Sequence, residues 1–265
     1  MVARCYSEAP SLFAAQYAEQ TGDVTFYARL ASRYAAIGAV LELGVGTGRI
    51  FRHLMEANAR AFGVERSAAM LSYLHNTQGG AASRCVRADC AQLPLPSRSF
   101  GLVIAPFNLL QELSEPGLRY TLAEVSRVLV PNGIFAADVA VPNETWLKER
   151  IATWWQCNLF RYVDTKRQRD AYLEAWMIQR SYNQRSRVSK REFAYVESRF
   201  GQDAKPYCSQ LRVSYHARAI EPAELDQRCR ELGLQPIDHS ADFQNGLYDN
   251  SVSHVTIAQK APQSR

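Results

Sequence analysis

The residues best placed to do chemistry lie in the run Glu42-Leu43-Gly44-Val45-Gly46-Thr47-Gly48-Arg49. Three glycines at alternate positions permit a tight turn and leave a bare backbone that a ligand can approach closely. The residues before the run are apolar and those after it have helical periodicity. The loop therefore joins a strand's carboxyl end to a helix N-terminus, where unpaired N–H groups point outward. Such a loop suits a nucleoside-bearing ligand. A dinucleotide fingerprint counted from Gly44 wants a small residue where Arg49 stands, so the dinucleotide reading is weakened. Two histidines are candidates for moving a proton. His239 closes a strand beside Asp238, Asp242 and Phe243, and His216 lies on the polar face of another strand between Arg212 and Arg218, where it could meet an anionic substrate. Trp146, Trp154, Trp155, Phe160, Tyr162, Trp176 and Phe243 enrich the second half of the chain, enough to line a pocket for a flat or ring-bearing ligand.

Strand and helix signals alternate through the first 140 residues. Strands are predicted at 39–43, 61–64, 84–88, 101–105 and 134–139. Helices are predicted at about 48–59, from Ser67 as N-cap to about 76, and over 116–130, where Pro131-Asn132-Gly133 ends the pattern. The first 38 residues read as helices punctuated by aromatics. This alternation predicts a doubly wound parallel sheet. The rhythm then changes to three longer strand-like segments, 171–182, 188–200 and 211–220, which predict an antiparallel sheet. In the last of these, Leu211, Val213, Tyr215 and Ala217 alternate with Arg212, Ser214, His216 and Arg218, the period of a half-exposed strand. A helix from Pro222 to Gly233 and strands at 234–239 and 252–258 resume the αβ theme. The expected division is a core of residues 1–145 and 220–265 with an inserted β region at 146–219.

The segment 39–140 resembles the class I S-adenosylmethionine-dependent methyltransferases. Glu42-x-Gly44-x-Gly46-x-Gly48 is similar to that family's first motif, an acid ahead of GxGxG. Further matches follow in order. Gly63-Val64-Glu65 closes the second strand with an acid 19 residues beyond Gly46, close to the spacing at which a carboxylate meets a ribose diol. Arg87–Pro94 resembles the third motif, which implies that Asp89 bonds the adenine amino group and that Cys90 offers its backbone N–H to the ring. Met70 matches a position that packs on adenine in relatives, and Ser99–Asn108 resembles the fourth motif, with Phe107 and Asn108 beside the reactive methyl. Ala105-Pro106-Phe107-Asn108 is not the Asn/Asp-Pro-Pro-aromatic sequence of methyltransferases acting on the amino groups of nucleic acid bases. The resemblance implies a Rossmann-like doubly wound sheet of the class I methyltransferase type with an inserted antiparallel β segment, and S-adenosyl-L-methionine as cofactor. It assigns the cofactor to Tyr17, Glu42, Gly44, Gly46, Gly48, Glu65, Met70, Asp89, Cys90 and Phe107, and Tyr17 to the methionine carboxylate. Asn108, Trp146 and Phe243 are expected on the acceptor side. A late antiparallel insertion is similar to the arrangement in methyltransferases of small metabolites, amino-sugar enzymes among them.

Composition bounds these expectations. With 265 residues and 47% apolar content, the chain is neither a disordered nor a fibrous polymer. No run approaches the roughly 18 apolar residues of a membrane span, and no secretory signal is readable, so a cytoplasmic location is expected. The six cysteines are scattered without a CxxC pair, which points to reduced thiols and implies no metal. Net charge is +5, concentrated in residues 151–220 with 13 basic and 6 acidic side chains. No RRM or KH sequence accompanies that basic segment, so the expected partner is a small-molecule methyl acceptor rather than nucleic acid. Two alternatives stay open: a nucleic acid or protein methyltransferase, and a non-catalytic relative that only binds S-adenosylmethionine.

Overall fold

The structure is a computed structural model and describes residues 3–4, 7, 9–57, 60–141, 155–164, 169–199, 207–241, 243 and 252–262. The chain opens with β1 (Ala3–Arg4), α1 (Pro10–Gln16) and α2 (Gly22–Tyr34). Alternation follows through β2 (Ala39–Leu43), α3 (Phe51–Ala57), β3 (Ala61–Glu65), α4 (Ala68–Gln78), β4 (Cys85–Arg87), β5 (Phe100–Ala105), α5 (Leu109–Glu112), α6 (Glu115–Val128) and β6 (Leu129–Val141). Four long strands come next, β7 (Trp155–Asp164), β8 (Arg169–Asn183), β9 (Val188–Arg199) and β10 (Tyr207–Arg218). The last elements are α7 (Pro222–Glu231), β11 (Leu234–Ala241) and β12 (Val252–Lys260). No described helix is long and apolar enough to cross a membrane.

The first sheet has the order β11-β12-β6-β5-β2-β3-β4. β2 through β6 run parallel, and β12 is antiparallel to both of its neighbours. Every residue of β2 and β5 is buried, as expected for strands covered on both faces. One layer packs Leu118, Leu122, Val125, Leu225 and Cys229 of α6 and α7 on the sheet, and the other packs Tyr27, Leu30, Phe51 and Leu54 of α2 and α3. From β2 the chain winds outward to β3 and β4, then returns to the other side of β2 for β5 and β6. The strand order thus reverses at β2, and a crevice opens outside its carboxyl end, where ligands bind in open α/β sheets.

The second sheet has the order β1-β10-β9-β8-β7, antiparallel except where β1 joins β10. Its inner face packs Ala175, Met177, Phe193, Tyr195 and Val213 against Ala9 and Met70, with Leu12 and Phe13 of α1 alongside. It lies as a cap over α1 and α4.

The doubly wound sheet and the antiparallel insertion are both present, with differences in detail. Three inserted strands are expected and four form. β7 carries a register shift between Gln156 and Asn158, which breaks the period-2 pattern that would have marked it. The N-terminal segment is not wholly helical, because Ala3 and Arg4 pair with Arg212 and Val213, a strand too short to leave a pattern. Helix α6 ends at Val128, and Pro131-Asn132-Gly133 lies inside β6 rather than between a helix and a strand. There the register against β5 jumps from Leu129 to Ile134, and Asn132 takes φ +62° to absorb the extra residues.

Candidate functional site

The glycine run sits at the crevice. Gly44, Gly46 and Gly48 all have positive φ, 68°, 57° and 83°, a backbone that side chains with a Cβ rarely adopt. A Cβ at Gly44 would strike Leu109 at 2.9 Å, and one at Gly48 would strike Leu74 at 2.3 Å. At Gly46 a Cβ would meet nothing closer than the Gly44 carbonyl at 3.9 Å, so this turn faces open space.

Glu65, at the tip of β3, ties that turn down. One carboxylate oxygen accepts from the Gly46 N–H at 2.9 Å and the other from the Ser67 N–H at 2.7 Å. Each oxygen keeps lone-pair capacity for another donor, which is what a vicinal diol requires. Asp89 follows β4, next in the sheet: its Oδ1 accepts from the Ala91 N–H at 2.9 Å and its Oδ2 lies 3.9 Å from Arg66. Cys90 is buried, and that burial pushes its thiol up to about 12, leaving its backbone N–H as the group it can offer. Met70 sits in the cluster beneath the second sheet, and its N–H is capped by the Ser67 hydroxyl at 3.2 Å.

The loop after β5 is fixed by a group that sequence reasoning missed. Phe107 and Asn108 both take φ +60°, and their N–H groups donate to the two oxygens of Asp138, each at 2.8 Å. Tyr27 donates its hydroxyl to the same carboxylate at 2.6 Å. Asp138 is a lone acid within the apolar run Ile134–Val139, and a buried charge in a central strand was the available signal. The Phe107 ring meets Tyr17 edge-on at 4.8 Å and Phe13 at 5.5 Å, with the Arg49 guanidinium 4.9 Å from its centroid. Arg49 pairs bidentately with the buried Asp23, at 2.8 and 2.5 Å, so the residue that argued against a dinucleotide instead anchors the helix over the site.

The donor set fits an adenosyl ligand. Beyond the open turn at Gly46, Glu42 Oε2 and Asn108 Oδ1 are buried acceptors with no hydrogen-bond partner among the described residues. Burial pushes the Glu42 carboxyl well above its ordinary value, opposed by Arg49 and reinforced by Asp23 and Glu65. Both atoms flank the crevice, and a bound donor group would satisfy them.

The acceptor-side expectations fare differently. Phe243 is buried in the core against Phe26 at 5.4 Å and Tyr27 at 5.9 Å, not on a pocket wall. His239 stands on the edge strand β11 facing α7, with Nε2 3.2 Å from Asp226 and Nδ1 3.1 Å from His254. Asp226 belongs to α7, which packs on the face of the sheet opposite Tyr27. His216 is exposed on the outer face of β10, and the strand's alternation turns Tyr215 inward instead. Trp146 lies outside the described residues.

With this geometry in place, comparisons with known proteins say what the chain is similar to. The sequence model of a methyltransferase domain matches residues 40–133, which span the glycine loop, Glu65, Asp89 and the Phe107 loop. Residues 40–133 are thus similar to a methyltransferase domain. An uncharacterized methyltransferase of Anoxybacillus flavithermus is 31% identical over 114 residues, 43% of this chain and 52% of that protein, so the chain spans about half the length of this curated relative. The CcbJ methyltransferase from Streptomyces caelestis is 24% identical, with a TM-score of 0.65 over 92% of this chain and 98% of that one. CalS10, an amino pentose methyltransferase from Micromonospora echinaspora, is 16% identical, with a TM-score of 0.68 over 94% and 97%. At these identities the likeness is one of fold.

Proposed function

We propose that the protein is an S-adenosyl-L-methionine-dependent methyltransferase acting on N or O of a small, ring-bearing metabolite. Residues 1–145 and 220–265 hold the donor, and 146–219 cover the acceptor. The observation that carries this reading is Glu65, whose carboxylate is fastened to the Gly46 turn and to Ser67 with capacity left for a ribose diol. The name of CalS10 supports a small acceptor, as does the apolar and aromatic inner face of the second sheet.

When bound, S-adenosylmethionine supplies an electrophilic methyl group that a nucleophile attacks in line, opposite the departing sulfur. What this chain supplies is placement. Glu65 holds the sugar hydroxyls, Asp89 and the Cys90 N–H read adenine, and Tyr17 and Phe107 close over the methionine end. The bonds from Phe107 and Asn108 to Asp138 keep that end from drifting. Well-aligned intramolecular reactions reach effective molarities of about 10⁵ to 10⁸ M, so orientation and exclusion of water can account for most of the acceleration.

Calorimetry with S-adenosylhomocysteine tests the reading. Gly46→Arg fills the open turn and should abolish binding while circular dichroism stays folded. Glu65→Ala should weaken binding by about 1.5 to 3 kcal/mol, the range for hydrogen bonds to a charged group. A wild-type protein with no affinity for S-adenosylhomocysteine would refute it.

A further inference from the structure

The edge of the first sheet that α7 covers carries a group of side chains the donor reading does not use. In the β11–β12 register His239 stands opposite Thr256, and Ala241 opposite His254. The two histidines are therefore diagonal neighbours on one face of an antiparallel pair, within reach of each other. Their rings meet: His239 Nδ1 lies 3.1 Å from His254 Nε2, with the centroids 5.1 Å apart. On the other side of the His239 ring, Nε2 is 3.2 Å from Asp226 of α7. Asp226 also accepts from the Thr256 hydroxyl at 3.4 Å and has Arg230 3.7 Å away, so its place is set from both α7 and β12.

We propose that this pair binds a divalent transition metal of the zinc and nickel class, with His239 Nδ1 and His254 Nε2 as ligands and Asp226 orienting His239. A bound ion would clip the edge strand β11 to β12 and, through Asp226, to α7.

The carboxylate of Asp226 accepts from Nε2–H of His239, so in the neutral ring the Nδ1 lone pair is the one aimed at His254. A carboxylate behind a ligating histidine fixes the tautomer and strengthens the ring as a donor to metal. His254 must also be neutral to ligate. Burial, then the neighbouring His239, hold its pKa below the ordinary value, against the pull of Asp226. As metal binds, the Nε2 proton of His254 leaves and its Nδ1 takes one up, so the metal replaces the hydrogen between the two nitrogens. With metal–nitrogen bonds of about 2.0 to 2.1 Å, a separation of 3.1 Å subtends about 100° at the ion, between the octahedral and tetrahedral angles. His239 is 43% exposed, which leaves solvent for its ring to turn into. Among the described residues no larger cluster of His, Cys, Asp or Glu forms, so water fills the remaining positions. Imidazole suits zinc, nickel and copper, whereas calcium and magnesium take oxygen. The expectation of no metal rested on the cysteines, and 15 residues separate these histidines, so no short motif marks them.

Tag-free protein titrated with zinc or nickel chloride in a calorimeter should show saturable binding. Its melting temperature should rise with added metal, since a ligand of the folded state stabilises that state. His239→Ala and His254→Ala should each abolish both effects. Asp226→Asn should weaken binding about 10- to 100-fold, the range for a partner behind a ligating histidine, with the circular dichroism spectrum unchanged. Wild-type protein that binds neither metal, binding that persists in both histidine variants, or calcium competing on equal terms would each overturn the proposal. Undiminished affinity in Asp226→Asn would overturn the orienting role. The methyl donor enters none of these measurements, so their outcome is separate from the donor reading.

Discussion

The donor seat and the cap are held by different kinds of bond. At the seat, Glu65 and Asp138 each accept two backbone N–H groups, so the loops around Gly46 and Phe107 are fixed through the main chain. The cap is held through side chains. Arg187 of the β8–β9 turn and Arg218 of β10 reach Glu224 of α7 at 2.8 and 3.2 Å. Arg228 bridges Glu224 and Glu115 at 2.9 and 2.5 Å. Tyr195 donates its hydroxyl to Gln16 of α1. Loops fixed through the backbone tolerate little change, whereas an ion-pair rim can be altered with less disturbance to the fold.

The most damaging single change should fall under the seat. Arg49 and Asp23 have side chains 9% and 2% exposed, and removing one partner of such a pair leaves a buried charge uncompensated. Arg49→Met should destabilise the fold by about 3 to 5 kcal/mol in denaturant titration. The double variant Arg49→Met, Asp23→Leu should recover much of that. A loss under about 1 kcal/mol for the single variant would erase the contrast with the cap.

Next in size is Asp138, and here the two regions should respond to pH with opposite sign. Burial pushes the Asp138 carboxyl up to about 6, against the hydrogen bonds from Tyr27, Asn108 and Phe107. Because the folded value lies above the unfolded one near 3.9, this group adds stability below about pH 4 that is lost as pH rises through about 6. Asp138→Asn should flatten that slope and cost about 2 kcal/mol at low pH, since an amide nitrogen then faces a backbone donor. On α7, which the cap's arginines reach, burial raises the Glu224 carboxyl, but the hydrogen bonds from Arg187, Arg228 and Arg218 outweigh it and hold the group below its ordinary value. Its contribution is present above about pH 4 and lost as pH falls below that. Glu224→Gln should cost about 1 kcal/mol after solvent screening, shrink with added salt, and leave S-adenosylhomocysteine affinity intact. Matching slopes of one sign in both variants would refute the contrast.

The same contrast explains what was legible in the sequence. The glycine turn depends on residues close together in the chain, so glycine spacing and an acid at a strand tip sufficed to predict a tight turn at Gly44, Gly46 and Gly48 beside Glu65, and the structure brings Gly46 and Glu65 together. Asp138 was hidden because its partners are 30, 31 and 111 residues away. The cap depends on which residues of four long strands come opposite one another, and that register passes through shifts at Gln156/Asn158 and Met177/Gln179 that no alternation announces. Phe243 shows the limit on aromatics: ring content suggested a pocket, but only packing against Phe26 and Tyr27 reveals a core anchor.

The smallest expected effect separates neighbours in one strand. His216 has the more reactive side chain for chemistry near neutral pH and Tyr215 the less, so sequence reasoning chose the histidine. Successive residues of a strand point to opposite faces, and the buried neighbours Val213 and Ala217 fix which face looks inward. His216 opposes Lys190 on the outer side, while Tyr215 opposes Arg191 on the side that meets Glu112. His216→Ala should therefore change stability by less than about 0.5 kcal/mol and leave both donor affinity and methylation rate as they are. A marked loss of methylation in this variant, with the donor still bound, would mean that β10 presents its other face to the acceptor, and the whole cap would have to be read one residue out of register.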